Sequence, residues 1–155
     1  MYKNTKFLAT SAIIAAIYCA VTLLLAPLSF GLVQFRVSEI LTVLPYFTPA
    51  AIPGLFIGCL ISNIFSPNGF WDIIIGSFAS LIAAYLSRKM PSKYLVPLPP
   101  VLINGVLIGW LLSFELNIPL YLAIIYVGAG EAAVCYMLGL PFLLLLNKYT
   151  KKIFL

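Results

Sequence analysis

Long apolar runs broken by short polar interruptions fill this chain, and the placement of the interruptions predicts six helices. The first run extends from about Phe7 to Ala26 and ends at Pro27, close to the ~20 residues a helix needs to cross a hydrocarbon core. Residues 27 to 35, with Pro27, Ser29, Gly31 and Gln34, predict a loop at the membrane surface. The run from Gln34 to Thr48 follows, only about 22 Å long at α-helical rise against a core of about 30 Å. Further spans are expected over 50–65, 71–87, 98–114 and 119–147, separated by Ser66-Pro67-Asn68-Gly69, by prolines 97, 99 and 100, and by Glu115 and Asn117. Pro141 predicts a kink in the last span.

Composition turns this pattern into a fold class. Of 155 residues, 63% are hydrophobic and 8% charged, which describes one all-α integral membrane domain over 1–155. A membrane barrel would alternate within segments of ~10 residues. The net charge of +5 does not point to nucleic acid, because the basic residues collect at span ends: Lys3 and Lys6, then Arg88, Lys89 and Lys93, then Lys148, Lys151 and Lys152. If all three clusters are cytoplasmic, an even number of crossings separates each from the next. The short run over 34–48 must then cross, by tilt, local thinning or broken geometry at Pro45. The expected topology is six transmembrane helices with both termini cytoplasmic, the first retained, since its apolar run exceeds a signal peptide's ~7–15 residue core.

Against this background each polar residue inside a span carries a solvation cost and is a candidate for function. Arg36 and Glu39, three residues apart in Gln34-Phe35-Arg36-Val37-Ser38-Glu39, share one helix face, where they pair with each other or converge on a ligand. Glu131, flanked by Gly128, Gly130, Ala132 and Ala133, has no partner nearby in sequence and sits roughly 18 Å in from Pro119. Asn63 and Asn104 either bond neighbouring helices or contact a ligand. Asp72 reads first as a helix cap at the surface and second as a ligand contact, and Glu115 as a solvated acid. Together these residues outline a polar pocket open to the outside and floored near mid-membrane. Its acidic excess suits a cation or a donor-rich ring. Ala12, Ala16 and Ala20 form a row of small side chains for close helix contact, inside the chain or with a separate subunit.

What is missing narrows the class. Histidine is absent, and Cys19, Cys59 and Cys135 show no paired spacing, so metal and disulfide readings are weak and the thiols read as small packing groups. No phosphate loop, nucleophile elbow or metalloprotease motif is present. The expectation is no enzyme, no cofactor and no metal, with any uptake energised by a partner or a gradient. Internal repeats are not visible.

The motifs Gln34-Phe35-Arg36-Val37-Ser38-Glu39, Gly58 to Pro67 with Asp72, Pro99 to Gly105, and Gly130-Glu131-Ala132 resemble the QueT family of substrate-binding (S) components of energy-coupling-factor (ECF) transporters, over nearly the whole chain. The resemblance implies six helices in a bacterial cell membrane, no ATPase activity, and partnership with a transmembrane coupling subunit and two ATPase subunits. It implies a queuosine precursor, 7-aminomethyl-7-deazaguanine, as substrate, and docking of the Ala12, Ala16, Ala20 face on the coupling subunit. Such a ring offers an N–H beside an exocyclic amino group, which one carboxylate accepts in bidentate fashion. A second carboxylate suits the aminomethyl cation, Asn104 or Arg36 the ring carbonyl, and Trp71 or Tyr121 the flat face. Which acid takes which end stays open. An S component for another vitamin or purine-like metabolite, a structural or regulatory membrane subunit, and an intramembrane enzyme are the alternatives.

Overall fold

A computed structural model describes residues 2–153, apart from the side chains of Tyr2 and residues 151–153, so Lys151 and Lys152 of the last basic cluster fall outside the described side chains. Every regular element among the described residues is helical: α1 (Tyr2–Leu24), α2 (Ala26–Ser29), a ten-residue 3-10 helix (Val37–Tyr46), α3 (Ala51–Asn63), α4 (Phe70–Arg88), a 3-10 turn (Lys93–Leu95), α5 (Leu98–Leu116), α6 (Leu120–Ala132), a π-helical segment (Ala133–Gly139) and α7 (Leu140–Ile153).

Small residues set the packing. A Cβ on Gly54 would stand 2.8 Å from the Ser11 carbonyl oxygen, and one on Gly58 would stand 2.9 Å from that of Ala15, so α1 and α3 touch backbone to backbone. Gly109 does the same for α5 against Ile124 of α6, at 2.8 Å from its Cα. With little hydrophobic drive between helices in lipid, such close approach supplies the van der Waals contact that holds a bundle together. α4 bridges α3 and α5, and the 3-10 helix is enclosed by α1, α4 and the π-helical segment. The inward face of α1 is built from Ser11, Ile14, Ala15 and Tyr18, whereas Ala12, Ala16 and Ala20 are exposed. The alanine row lies on the outward face of the helix.

Among the described residues four stretches are long and apolar enough to cross a membrane: Lys3–Leu24, Phe70–Arg88, Lys93–Leu116 and Leu120–Thr150. The run expected over 34–48 begins its helix only at Val37 and is 3-10, not α. Its steeper rise stretches ten residues to about 20 Å, and the thirteen residues of α3 reach about the same length. These two apolar helices are therefore shorter than a bilayer core. Residues 27–35 are not a surface loop throughout, because Ser29, Phe30, Gln34 and Arg36 at its end fold inward and are buried. The irregularity expected at Pro141 lies just before it. Proline has no N–H to give the preceding turn, and the chain widens into π register, with the Leu140 N–H donating to the Cys135 carbonyl.

Basic residues gather where the 3-10 helix ends. The Arg88 guanidinium donates to the Pro45 carbonyl at 3.0 Å, and Lys3 and Lys6 line a groove with Phe47, Thr48 and Pro49. A β-branched side chain at Gly58 would wedge α1 off α3. Gly58→Val is expected to lower stability by about 1–3 kcal/mol, read as a lower midpoint of thermal unfolding in detergent, whereas Ala12→Val on the exposed face should leave it unchanged.

Candidate functional site

The polar residues that sequence places in different spans meet around the 3-10 helix. Arg36 precedes it in an extended conformation, and its guanidinium donates to the Gln34 side-chain oxygen at 3.3 Å and to the Cys59 sulfur at 3.6 Å. The Phe30 ring lies 5.3 Å from the guanidinium carbon, close enough for a cation–π contact. Glu39, one 3-10 turn on, does not pair with Arg36. Its Oε1 accepts a hydrogen bond of 2.5 Å from the Tyr18 hydroxyl on α1. Thr42, a further turn on, donates to the Glu39 carbonyl at 2.6 Å and lies 3.9 Å from the Cys135 sulfur.

Glu131 reaches this cluster from the end of α6. The Cys135 thiol, in the π-helical segment, donates to its Oε2 at 3.8 Å, and Asn104 of α5 stands beside the carboxylate. Gly130 leaves no side chain in the way, and the Val33 carbonyl packs where its Cβ would be. The turn that leads into Arg36, with Gln34 at a positive φ of 52°, is thereby laid across the π end of α6. The charges of Arg36, Glu39 and Glu131 are close enough to influence one another.

A third group lies between α3 and α4. Asn63 Nδ2 donates to the Asp72 carbonyl at 3.0 Å and to the Cys59 sulfur at 3.4 Å. The Ser66 hydroxyl donates to Asp72 Oδ2, and Ser80 adds another donor to Cys59 at 3.3 Å. Gly76 makes room for this group, since a Cβ there would stand 2.6 Å from Asn63 Nδ2 and 3.2 Å from Asp72 Oδ1. Asp72 caps nothing at the surface. It is fully buried, and the helix-start position of α4 belongs to Gly69, which offers no side chain.

The distinguishing property of the cluster is what it leaves unpaired. Gln34 Nε2, Arg36 Nε, Glu39 Oε2, Asn63 Oδ1 and Asp72 Oδ1 are buried without a hydrogen-bond partner, as is Asn68 Nδ2 in the turn before α4. An unsatisfied buried polar atom costs about 1–3 kcal/mol, and more when it is charged. Five such atoms in one neighbourhood, both donors and acceptors, fit a polar guest.

Of the residues marked from sequence, Arg36, Glu39, Asn63, Asp72, Asn104 and Glu131 are all buried, at 6% exposure or less. Trp71 and Tyr121 are not brought in: they are 56% and 64% exposed, and Trp71 lines a separate apolar cleft of about 280 Å³ with Ile75, Trp110, Leu111 and Phe114. The aromatic groups at the cluster are Tyr18 and Phe30. Sequence reading missed them, together with Gln34, Thr42, Ser80 and the thiols of Cys59 and Cys135, which hydrogen-bond instead of merely filling space. Tyr18 carried one usable signal: it lies on the α1 face opposite the alanine row.

These features define a helical membrane protein built around a buried polar cluster. Residues 8–148 match the family model described as QueT transporter, and the chain belongs to that family. It is 40% identical over 83 residues to the "Queuosine precursor transporter QueT" of Lactococcus lactis subsp. cremoris (strain MG1363), a stretch covering 52% of this chain and 48% of that protein. The alignment thus spans about half the length of the curated relative. No solved structure matches the chain.

Removing the phenolic hydroxyl in Tyr18→Phe strips Glu39 of its donor and leaves a second bare carboxylate oxygen in the interior. The expected cost is about 1.5–3 kcal/mol, the scale of a hydrogen bond to a charged group. It is measured as the drop in thermal stability of the ligand-free protein.

Proposed function

We propose that this chain is the substrate-binding component of an ECF-type importer, taking up a queuosine precursor, 7-aminomethyl-7-deazaguanine, across a bacterial cell membrane. It spans that membrane six times with both termini in the cytoplasm. The observation that carries the reading is the set of five buried, unpaired polar atoms around Arg36, Glu39 and Asp72. A deazaguanine supplies both donors and acceptors along a flat ring, which is what such a mixed set of protein atoms demands. Family membership supports the transport class, and the printed name of the Lactococcus relative supports the substrate.

The chain binds and does not catalyse or energise. Residues for nucleotide hydrolysis are not among its motifs, so a transmembrane coupling subunit and two ATPase subunits do that work. The exposed row Ala12, Ala16, Ala20 is the surface on which the coupling subunit docks, free because the inner face of α1 is already committed to α3. A purely structural reading, in which the buried charges only neutralise one another, is disfavoured by Arg36 bonding Gln34 and Cys59 while Glu39 bonds Tyr18.

Mass spectrometry of the small molecule that co-purifies with the protein tests the substrate. Isothermal titration then tests the site. Glu39→Gln and Glu131→Gln are each expected to weaken binding by about 1.5–3 kcal/mol, since glutamine keeps the size and swaps an acceptor for a donor. Unchanged affinity with lowered thermal stability in both variants means that the cluster is a structural network.

Ala16→Trp separates docking from binding. The isolated variant is expected to bind substrate as the parent does while energised uptake in cells is lost, because the ring holds a partner helix off the alanine face. Normal uptake by this variant rules that face out as the docking surface.

A further inference from the structure

The unpaired atoms of the cluster fall into two chemically different sets. Around the 3-10 helix the set is mixed: Gln34 Nε2 and Arg36 Nε are free donors, Glu39 Oε2 a free acceptor. Between α3 and α4 the free atoms of the fully buried residues are acceptors, the unpaired Asn68 Nδ2 belonging to the half-buried turn before α4. Asn63 has spent its amide protons on the Asp72 carbonyl and Cys59, Ser66 has spent its proton on Asp72 Oδ2, and what remains is Asn63 Oδ1 and Asp72 Oδ1. Both residues are fully buried, and one of the free oxygens belongs to a carboxylate.

We infer that Asp72 and Asn63 form a separate seat for a primary ammonium group, and that this seat takes the cationic arm of the substrate while Glu39, Glu131 and their neighbours hold the ring. An ammonium carries three donors and no acceptor, so it can satisfy both oxygens without leaving a lone pair unmatched. A ring edge could offer its N–H and amino donors to the same two oxygens, but its neighbouring carbonyl needs a donor, which the mixed set supplies and these two oxygens do not. The mixed set has the reverse fit: a bare ammonium there would meet the guanidinium of Arg36 and the amide hydrogens of Gln34. Arg36 also feels the charge of Asp72, but its two terminal nitrogens donate to Gln34 and Cys59 and no hydrogen bond joins it to Asp72. Gly76 is the enabling residue, since any side chain there would occupy the space of the Asn63 amide.

The inference rests on the queuosine-precursor reading, and one experiment separates the two. Isothermal titration of the full chain in detergent measures affinity for 7-aminomethyl-7-deazaguanine and for its uncharged 7-cyano counterpart. In Asp72→Asn the preference for the amine over the nitrile is expected to fall at least about tenfold, with Asp72→Glu retaining most of it. Glu39→Gln and Glu131→Gln should weaken both ligands alike and keep the ratio. Because the measure is a ratio within one variant, it is independent of the fraction of folded protein. Should Asp72→Asn bind neither ligand, Asn63→Ala carries the test, with a severalfold fall in the same ratio. A ratio unchanged in Asp72→Asn, or one that falls in Glu131→Gln or Glu39→Gln instead, overturns the assignment while leaving the substrate in place. Failure of the parent protein to bind either deazaguanine overturns both. The same seat chemistry suits a metal cation, so sodium-dependent thermal stabilisation of the parent without any deazaguanine, lost in Asp72→Asn, also overturns the ammonium assignment.

Discussion

A guanidinium and three carboxylates are held in the interior of a chain that otherwise offers them lipid, and each such ion costs several kcal/mol to strip of water. Much of the fold can be understood as the means of meeting that cost. Tyr18 is turned inward to bond Glu39, Gln34 and Cys59 receive Arg36, and Phe30 covers the guanidinium. Glycines at 54, 58, 76 and 130 let backbones close around these groups where side chains would prop them open. The offset is incomplete, because two carboxylate oxygens keep no donor. That remainder is what a guest can satisfy, and it ties binding to stability: the ligand that pairs those atoms lowers the free energy of the same closed arrangement.

The unusual conformation of residues 37–46 follows from the same constraint. In a 3-10 helix, residues three apart eclipse one another, so Glu39 and Thr42 stack in line on the side approached by Arg36. In an α-helix Thr42 would swing away from the line of Arg36. The greater rise also carries ten residues about as far as thirteen travel in α3. The conformation gives up good hydrogen-bond geometry, and the side-chain bonds of Thr42 to the Glu39 carbonyl and of Ser38 to Thr22 supply part of what is lost.

Legibility divides along the same physical line. Long apolar runs report helices directly, because in lipid the backbone has almost no alternative, and all six apolar runs are helical. Buried charge is equally conspicuous, so Arg36, Glu39 and Glu131 stand out from sequence, and the structure groups them. The polar spacing at 36, 39 and 42 does carry the three-residue period of a 3-10 helix, but a period seen across two turns is weak against the helical norm. Tyr18, Ser80 and the two cysteines were hidden for a different reason. Tyrosine, serine and cysteine occur in apolar helices without penalty, and only their neighbours across the bundle reveal their hydrogen bonds. Trp71 and Tyr121 mislead in the opposite sense: sequence gives their place along a helix but not the direction in which they point.

Site and outer surface share one helix. On α1, Tyr18 holds Glu39 from the inner face, while Ala16 and Ala20 lie exposed on the other. The helix is locked to α3 at Gly54 and Gly58 with no free volume between them, and α3 carries both Cys59, against which Arg36 rests, and Asn63. Close-packed elements transmit displacement instead of absorbing it. A displacement of Arg36, Glu39 or Asn63 would therefore act on α1 and α3 as a unit, whose outward surface carries the exposed alanines together with Ile13, Ile17, Ile57 and Ile61.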